Sequence, residues 1–196
     1  MHGLINRAIE EFARGTYGDE FWQEVVQRCD LGVDHFEAMM SYEPQLTGRV
    51  LEGLAAALDT PRAELLEDIG TFLVSSGTGA IRRLLRFSGL DFVDFLHALD
   101  DLPARARLAV PDLDVPHLRL DLHTPCDFAL TVCSPFASEL RFGHVMIGLL
   151  RAMADDYGAL VYLDYKGGRG ATEMIAIRLL ETAFAEGRAF DLGASA

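Results

Sequence analysis

Residues 92–116 read FVDFLHALDDLPARARLAVPDLDVP, and this stretch divides the chain into a helical part and a strand-forming part. Its first eight residues carry apolar side chains at the three- and four-residue spacing of an amphipathic helix. Pro103 lacks an amide donor and disfavours a helix interior, so the helical block is expected to end near this residue. Pro111 and Pro116 then bracket a connector in which a helix does not continue easily.

The sequence before this stretch predicts helices separated by short turns. Thr60 and Pro61 suit the start of one such helix, because threonine caps a first turn and proline fits the first helical position. Apolar residues recur at helical spacing in five segments, at about 5–12, 19–29, 47–58, 61–73 and 81–87.

The sequence after this stretch changes to a period of two, in which Leu118, Leu120 and Leu122 alternate with polar residues. The glycine-rich segment 166–170 is expected to be a hairpin turn, and residues 185–196 a loosely ordered tail. Strands are predicted at about 118–123, 128–132, 160–165 and 174–180, with a helix at about 142–157. The expected fold class is therefore α+β, with helices first and then a four-stranded antiparallel sheet.

The composition suits one well-buried globular unit, since half of the 196 residues are apolar. The 17 basic and 30 acidic side chains give a net charge of −13, which repels nucleic-acid phosphates and anionic lipid surfaces. No stretch reaches the roughly 18 apolar residues of a membrane span, and the start does not resemble a secretory signal. We predict a cytoplasmic protein with no nucleic-acid or membrane partner.

Motifs for metal binding and catalysis are weak. Cys29, Cys126 and Cys133 have no CxxC spacing, so reduced thiols and no metal site are predicted. Asp100 and Asp101 are adjacent and point to different helix faces, which suits helix-end charges better than an acid–base pair. The sequence therefore predicts no enzymatic activity.

The amino-terminal sequence carries a family resemblance. Residues 1–6 (MHGLIN) lead directly into residues 7–12 (RAIEEF) and then residues 17–22 (YGDEFW). This pattern resembles the H-NOX, or heme-NO-binding (HNOB), domain, a family that includes the sensor domain of the soluble guanylate cyclase β subunit and bacterial stand-alone sensors. The resemblance extends to about residue 180.

The resemblance implies an amino-terminal helical lobe packed on a lobe of helices and a four-stranded antiparallel sheet. Residues 1–184 are then expected to form a single sensor domain, with lobes at about 1–60 and 61–184. The resemblance implies heme as the cofactor, through which members of the family sense gases. The implied partner is a signalling protein such as a histidine kinase or a cyclic-dinucleotide enzyme.

The family's axial heme ligand is a histidine that ends a segment reading roughly F-L-x-x-L-D-x-L-H. Residues 95–102 reproduce this approach without a gap, and the histidine position holds Pro103. The family's second signature, Y-x-S-x-R, binds the heme propionates. It corresponds here to Val132, Ser134 and Phe136, of which only the serine is kept. Heme is therefore predicted to be absent or weakly bound.

Two alternatives to a degenerate, heme-free sensor stay open. Heme could use a non-standard axial ligand, with His97 and His117 as the candidates. The domain could instead be a heme-free interaction module, its pocket filled by Leu102, Val132 and Phe136. A pocket that has lost heme could also take a small apolar ligand. The residues expected to line it are Ile5, Ile9, Leu99, Leu102, Pro116 and Met146.

Overall fold

The computed structural model describes residues 1–75 and 89–184, so the predicted helix at 81–87 and the predicted tail at 185–196 lie outside the described residues. Helices α1 (Gly3–Tyr17), α2 (Asp19–Arg28), α3 (Pro44–Leu58) and α4 (Arg62–Ser75) come first. The later elements are α5 (Phe92–His97), α6 (Leu102–Ala109), β1 (His117–Thr124), β2 (Asp127–Cys133), α7 (Phe142–Tyr157), β3 (Leu160–Arg169) and β4 (Thr172–Glu181).

The first three helices and much of α4 enclose one apolar core. Trp22 and Phe36 are fully buried in it. The buried Glu10 fixes the loop that carries Phe36, because its Oε1 accepts from Arg14 Nε at 2.8 Å and its Oε2 from the Phe36 amide at 2.7 Å. We call this core the amino-terminal cluster. Its members include Ile9, Phe12, Trp22, Val25, Phe36, Val50, Leu51, Leu54, Leu65, Leu66, Ile69 and Val145.

The four strands form one antiparallel sheet in the order β1-β2-β4-β3, and α7 packs against it. Leu130 pairs with Leu120 on one side and Ile175 on the other, which makes a row of apolar side chains across the sheet. The predicted α+β fold and antiparallel sheet are confirmed. We call this second core the sheet cluster. Its members include Val74, Phe92, Phe95, Leu96, Leu99, Phe128, Leu130, Val132, Met146, Leu150, Met153, Ile175 and Ile177.

Helices α4 and α7 cross with their backbones in contact. A Cβ atom on Gly148 would lie 1.8 Å from the carbonyl oxygen of Glu67, and one on Gly70 would lie 2.0 Å from that of Val145. Thr71 Oγ1 lies 3.1 Å from the Glu67 carbonyl oxygen and 3.3 Å from that of Gly148. Each of the two helices contributes side chains to both clusters, so this crossing joins the two cores.

Two local predictions were wrong. The helical block does not end near Pro103, because α6 begins at Leu102 and carries Pro103 in its first turn. The first residues of a helix need no intrahelical donor, so proline is tolerated there. Segment 166–170 is not all loop, since β3 continues to Arg169 with a pairing irregularity near Gly167, whose φ is 84°. The turn itself is formed by residues 170 and 171.

The three cysteine thiols are free. Cys126 immediately precedes β2 and Cys133 ends it, so an extended strand separates the two sulfur atoms. Within residues 1–75 and 89–184, none of the helices combines the length and the apolar character that crossing a bilayer requires.

Candidate functional site

Pro103 lies where the chain passes from a turn into a helix. Helix α5 ends at His97, residues 98–101 form a turn, and α6 begins at Leu102. Pro103 is buried as the second residue of α6, where its missing amide hydrogen leaves no intrahelical bond unmade. Its nitrogen is an amide nitrogen closed into a ring and has no lone pair to donate to a metal. This position therefore offers no axial ligand.

The turn before α6 is anchored to the sheet by Asp100. Its Oδ1 accepts a hydrogen bond from the amide of Leu120 at 2.7 Å. Because β1 is an edge strand, no further strand pairs with this amide, and the Asp100 carboxylate accepts its hydrogen bond instead. The sequence suggested only a helix-end charge, since a hydrogen bond between distant elements leaves no local pattern.

We expect Asp100→Ala to accelerate hydrogen exchange of the Leu120 amide about tenfold and to lower the free energy of unfolding by about 1.4 kcal/mol. The physical reason is the loss of the acceptor on the sheet edge. Asp101→Ala is the matched control, because Asp101 makes no capping hydrogen bond at the start of α6. Exchange measured by NMR at equal rates in the two variants would contradict the assignment.

The segment that corresponds to the Y-x-S-x-R motif begins in the last two residues of β2 and continues into the loop after it. Val132 is fully buried in the sheet cluster, whereas Phe136 packs against the amino-terminal cluster. The buried Ser134 lies between them, with its amide donating to the carbonyl of Ala171 at 2.8 Å and its Oγ accepting from the Phe136 amide at 3.2 Å. The trio predicted to fill the pocket is thus separated. Leu102 and Val132 share the sheet cluster, and Phe136 does not.

The six predicted pocket residues are likewise divided. Ile9 is buried in the amino-terminal cluster and Ile5 packs against it. Leu99 and Met146 are buried in the sheet cluster, and Leu102 packs against that cluster. Pro116 is buried just before β1. Five of the six residues therefore belong to two separate cores, and Pro116 belongs to neither.

His117 lies in a groove, unlike His97. It opens β1 opposite Cys133, and the groove, of ≈ 480 Å³, also contacts Arg107 and the 111–115 connector. His97 is exposed, with its ring edge-on to Phe128 at a centroid distance of 6.2 Å. Across residues 1–75 and 89–184, no three or more histidine, cysteine, aspartate or glutamate side chains are grouped so that they could hold a metal ion.

A polar cluster lies at the start of α7, and sequence reasoning missed it. Glu173 is 1% exposed, and its carboxylate accepts from the Tyr165 hydroxyl at 2.6 Å and from the Gly143 amide at 3.1 Å. His144 stacks on Tyr165 with ring centroids 4.2 Å apart, and its Nδ1 is 3.3 Å from Glu67 Oε1. The pairing of β3 with β4 and the crossing of α4 with α7 bring these groups together, so no sequence motif could reveal the cluster.

Burial, followed by the hydrogen bond to Glu173, raises the pKa of Tyr165 to about 12. The fold favours the neutral phenol, so this contribution to stability is present below the ordinary tyrosine pKa of about 10 and is lost as the pH approaches 12. We expect Tyr165→Phe to remove a phenol that titrates near pH 12 in ultraviolet absorbance. An unchanged alkaline titration would contradict the assignment.

The family model described as Haem-NO-binding matches residues 2–164. Soluble guanylate cyclase 89Da of Drosophila melanogaster is 22% identical over 161 residues, which cover 82% of this chain and 24% of that protein. Soluble guanylate cyclase gcy-31 of Caenorhabditis elegans is 28% identical over 117 residues, which cover 59% of this chain and 17% of that protein. The chain thus spans a quarter or less of the length of these curated relatives.

Solved H-NOX structures share the fold. The Fe(II) unliganded H-NOX protein from K. algicida has a TM-score of 0.78 and 17% identity, covering 92% of this chain and 97% of that chain. The H-NOX protein from S. oneidensis in the Fe(II)NO state has a TM-score of 0.76 and 19% identity, covering 92% and 100%. These likenesses show the fold, and the family model covers most of the sequence, so the chain belongs to the Haem-NO-binding family as an H-NOX domain.

Proposed function

We propose that this chain is a signalling domain of the Haem-NO-binding family that works without stably bound heme. The observation that carries the proposal is Pro103, which is buried and has no ligand atom where the family resemblance places the axial histidine. Axial coordination is the main bond between the protein and the heme iron. A proline at this position cannot form that bond.

The positions that correspond to the propionate-binding Y-x-S-x-R motif fit heme no better. Propionates are anionic, and proteins hold such groups with guanidinium groups and hydroxyls. Val132 is an apolar side chain fully buried in the sheet cluster, and Phe136 is an apolar side chain in place of a cation. The axial ligand and two of the three propionate-binding residues are therefore replaced by groups that can neither coordinate iron nor bind a carboxylate.

A heme sensor with a different axial ligand is the second candidate, and the groove beside His117 favours it. Arg107 lines that groove and could pair with a propionate, whereas Asp112 and Asp114 line it too and would repel one. His97 is exposed beside Phe128 and does not line this groove. His117 is therefore the stronger of the two alternative ligands.

The proposed role is non-enzymatic signalling in the cytoplasm. Asp100 is engaged by the Leu120 amide and the Ser134 oxygen by the Phe136 amide, so two side chains that could suggest catalysis have structural partners. The curated relatives are named as soluble guanylate cyclases and are several times longer. We propose that the domain passes a conformational signal to a signalling enzyme such as a histidine kinase or a cyclic-dinucleotide enzyme. Its input would be a small apolar ligand or the partner itself.

The test is heme reconstitution of the purified chain, with the S. oneidensis H-NOX protein treated in parallel as the heme-binding control. We expect added hemin to be lost on gel filtration, with no stoichiometric Soret band left on the chain. One retained heme per chain would overturn the proposal. In that event, loss of the band in His117→Ala but not in His97→Ala would establish the second candidate.

A further inference from the structure

The groove beside His117 lies on the outer face of the sheet, opposite to the sheet cluster. Side chains alternate between the two faces of a strand, and Val132 is fully buried in the sheet cluster, so its neighbour Cys133 faces outwards. His117 lies directly across from Cys133 on β1, and both residues line the groove of ≈ 480 Å³. The groove is therefore separated by the sheet from the apolar interior that Val132 enters.

Charges of both signs line this groove. Arg107 supplies a guanidinium, and Asp112 and Asp114 supply two exposed carboxylates. In the part of the chain that the structure describes, no ion pair joins Arg107 to either aspartate, and its guanidinium reaches the carbonyl of Val115 at 3.5 Å. Such a groove is complementary to a ligand that carries both a carboxylate and an ammonium group.

Cys133 adds a nucleophile to the same groove. Its thiol is free and half-buried, and the Thr172 hydroxyl donates a weak hydrogen bond to the sulfur at 3.8 Å, which holds the sulfur beside β4. The extended strand β2 separates Cys133 from Cys126, so the two do not pair with each other. The sulfur of Cys133 is therefore available to a second molecule.

We propose that this groove binds a small thiol of the amino-acid class and that Cys133 forms a mixed disulfide with it. Arg107 binds the carboxylate of the ligand, and Asp112 and Asp114 bind its ammonium group. The co-reactant is the disulfide of such a thiol, for example cystine or glutathione disulfide. The site goes beyond the proposed signalling role, and it uses none of the residues that correspond to the family's axial ligand or to the specified positions of its Y-x-S-x-R motif.

The reaction is a thiol–disulfide exchange. Cys133 loses its proton to water, and the resulting thiolate attacks one sulfur of the small disulfide. The bond between the two sulfur atoms of the reagent breaks as the new bond to Cys133 forms. The second half of the reagent leaves as a thiolate and takes a proton from water, so Cys133 is oxidised and the departing half is reduced. Mixed disulfides of this kind are reversible, which suits a compartment that keeps thiols reduced.

The test compares amino-acid disulfides with an uncharged one. The chain is treated at about pH 8, where cysteine thiols are partly ionised, with cystine, with glutathione disulfide and with bis(hydroxyethyl) disulfide. Cleavage before Asp127 separates Cys126 from Cys133, so mass spectrometry gives the modification rate of each cysteine in one sample. Cys126 is exposed and lies outside the groove, which makes it the internal reference.

We expect the ratio of the Cys133 rate to the Cys126 rate to be about tenfold higher with at least one amino-acid disulfide than with the uncharged disulfide. Arg107→Gln should lower this preference several-fold, and so should Asp112→Asn combined with Asp114→Asn. Neither change should alter the rate with the uncharged disulfide. Arg119→Gln is the matched control, because Arg119 also lies on the outer face but pairs with Asp121 at 3.1 Å and does not line the groove.

Equal rate ratios with the charged and uncharged disulfides would overturn the proposal. An unchanged preference in Arg107→Gln or in the double aspartate variant would do the same, provided that the variant folds. Arg107 lies in α6 and the two aspartates lie in the connector, so a folding failure of one variant leaves the other as the test. A preference that falls as far in Arg119→Gln would also overturn the proposal, because it would show a general effect of surface charge.

Discussion

Gly148→Ala is expected to destabilise the fold by about 3 kcal/mol or more, which lowers the melting temperature by roughly 6–12 °C for a chain of this size. The added methyl carbon would lie 1.8 Å from the carbonyl oxygen of Glu67 on α4. A backbone oxygen cannot rotate away as a side chain can, so the two helices would have to separate. Separation would loosen both apolar clusters, because α4 and α7 contribute to each of them.

The matched control for this prediction is Gly48→Ala in α3. A methyl group on Gly48 would meet only the side chain of Glu139 at 3.8 Å, an ordinary contact. That variant is expected to be neutral or slightly stabilising, since alanine favours helix more than glycine does. Gly70→Ala should resemble Gly148→Ala, and their effects should not add, because both act at one crossing. Urea unfolding that gave equal stabilities for Gly48→Ala and Gly148→Ala would show that the crossing is not close.

Glu173→Ala is expected to lower the free energy of unfolding by about 3 kcal/mol. The variant leaves the Tyr165 hydroxyl and the Gly143 amide without the acceptor that each now uses. Each unsatisfied buried donor costs about 1–3 kcal/mol. Part of the total cost is offset because the variant no longer buries a charged carboxylate. The pKa of Tyr165 should also fall, though not to its ordinary value, because burial is the larger cause of its elevation.

Glu173→Gln is the matched variant for that experiment. It keeps the shape and one oxygen acceptor while removing the charge, so it should cost about 1 kcal/mol. Denaturant unfolding at neutral pH measures both changes. An alanine variant as stable as the glutamine variant would mean that water replaces the carboxylate in the polar cluster.

The architecture was largely predictable because it rests on local periodicity. The alternation of Leu118, Leu120 and Leu122 indicated a half-buried strand, and β1 contains these residues, with Leu118 and Leu120 half-buried and Leu122 exposed. Helix α6, which contains Pro103, escaped prediction because proline is unfavourable inside a helix yet suited to its first turn. The amino-terminal pattern indicated the family, and the family model over residues 2–164 confirms it.

The polar features of the fold were less predictable, because each depends on groups that are distant in the sequence. Asp100 meets Leu120 across 20 residues, and Tyr165 meets Glu173 only through strand pairing. The same limit applies to Gly148, whose need for a bare backbone comes from a helix crossing.

The hydrogen bond between Asp100 and Leu120 affects the population of any state in which α6 is displaced from β1. A movement that carries the turn away from β1 must break this bond, which is worth about 1.4 kcal/mol at a typical strength for a charge-assisted contact near the surface. That energy corresponds to a tenfold ratio of populations. With Asp100 intact, the displaced state is therefore about ten times rarer than in Asp100→Ala, and a ligand or partner that stabilises it must supply that difference in affinity.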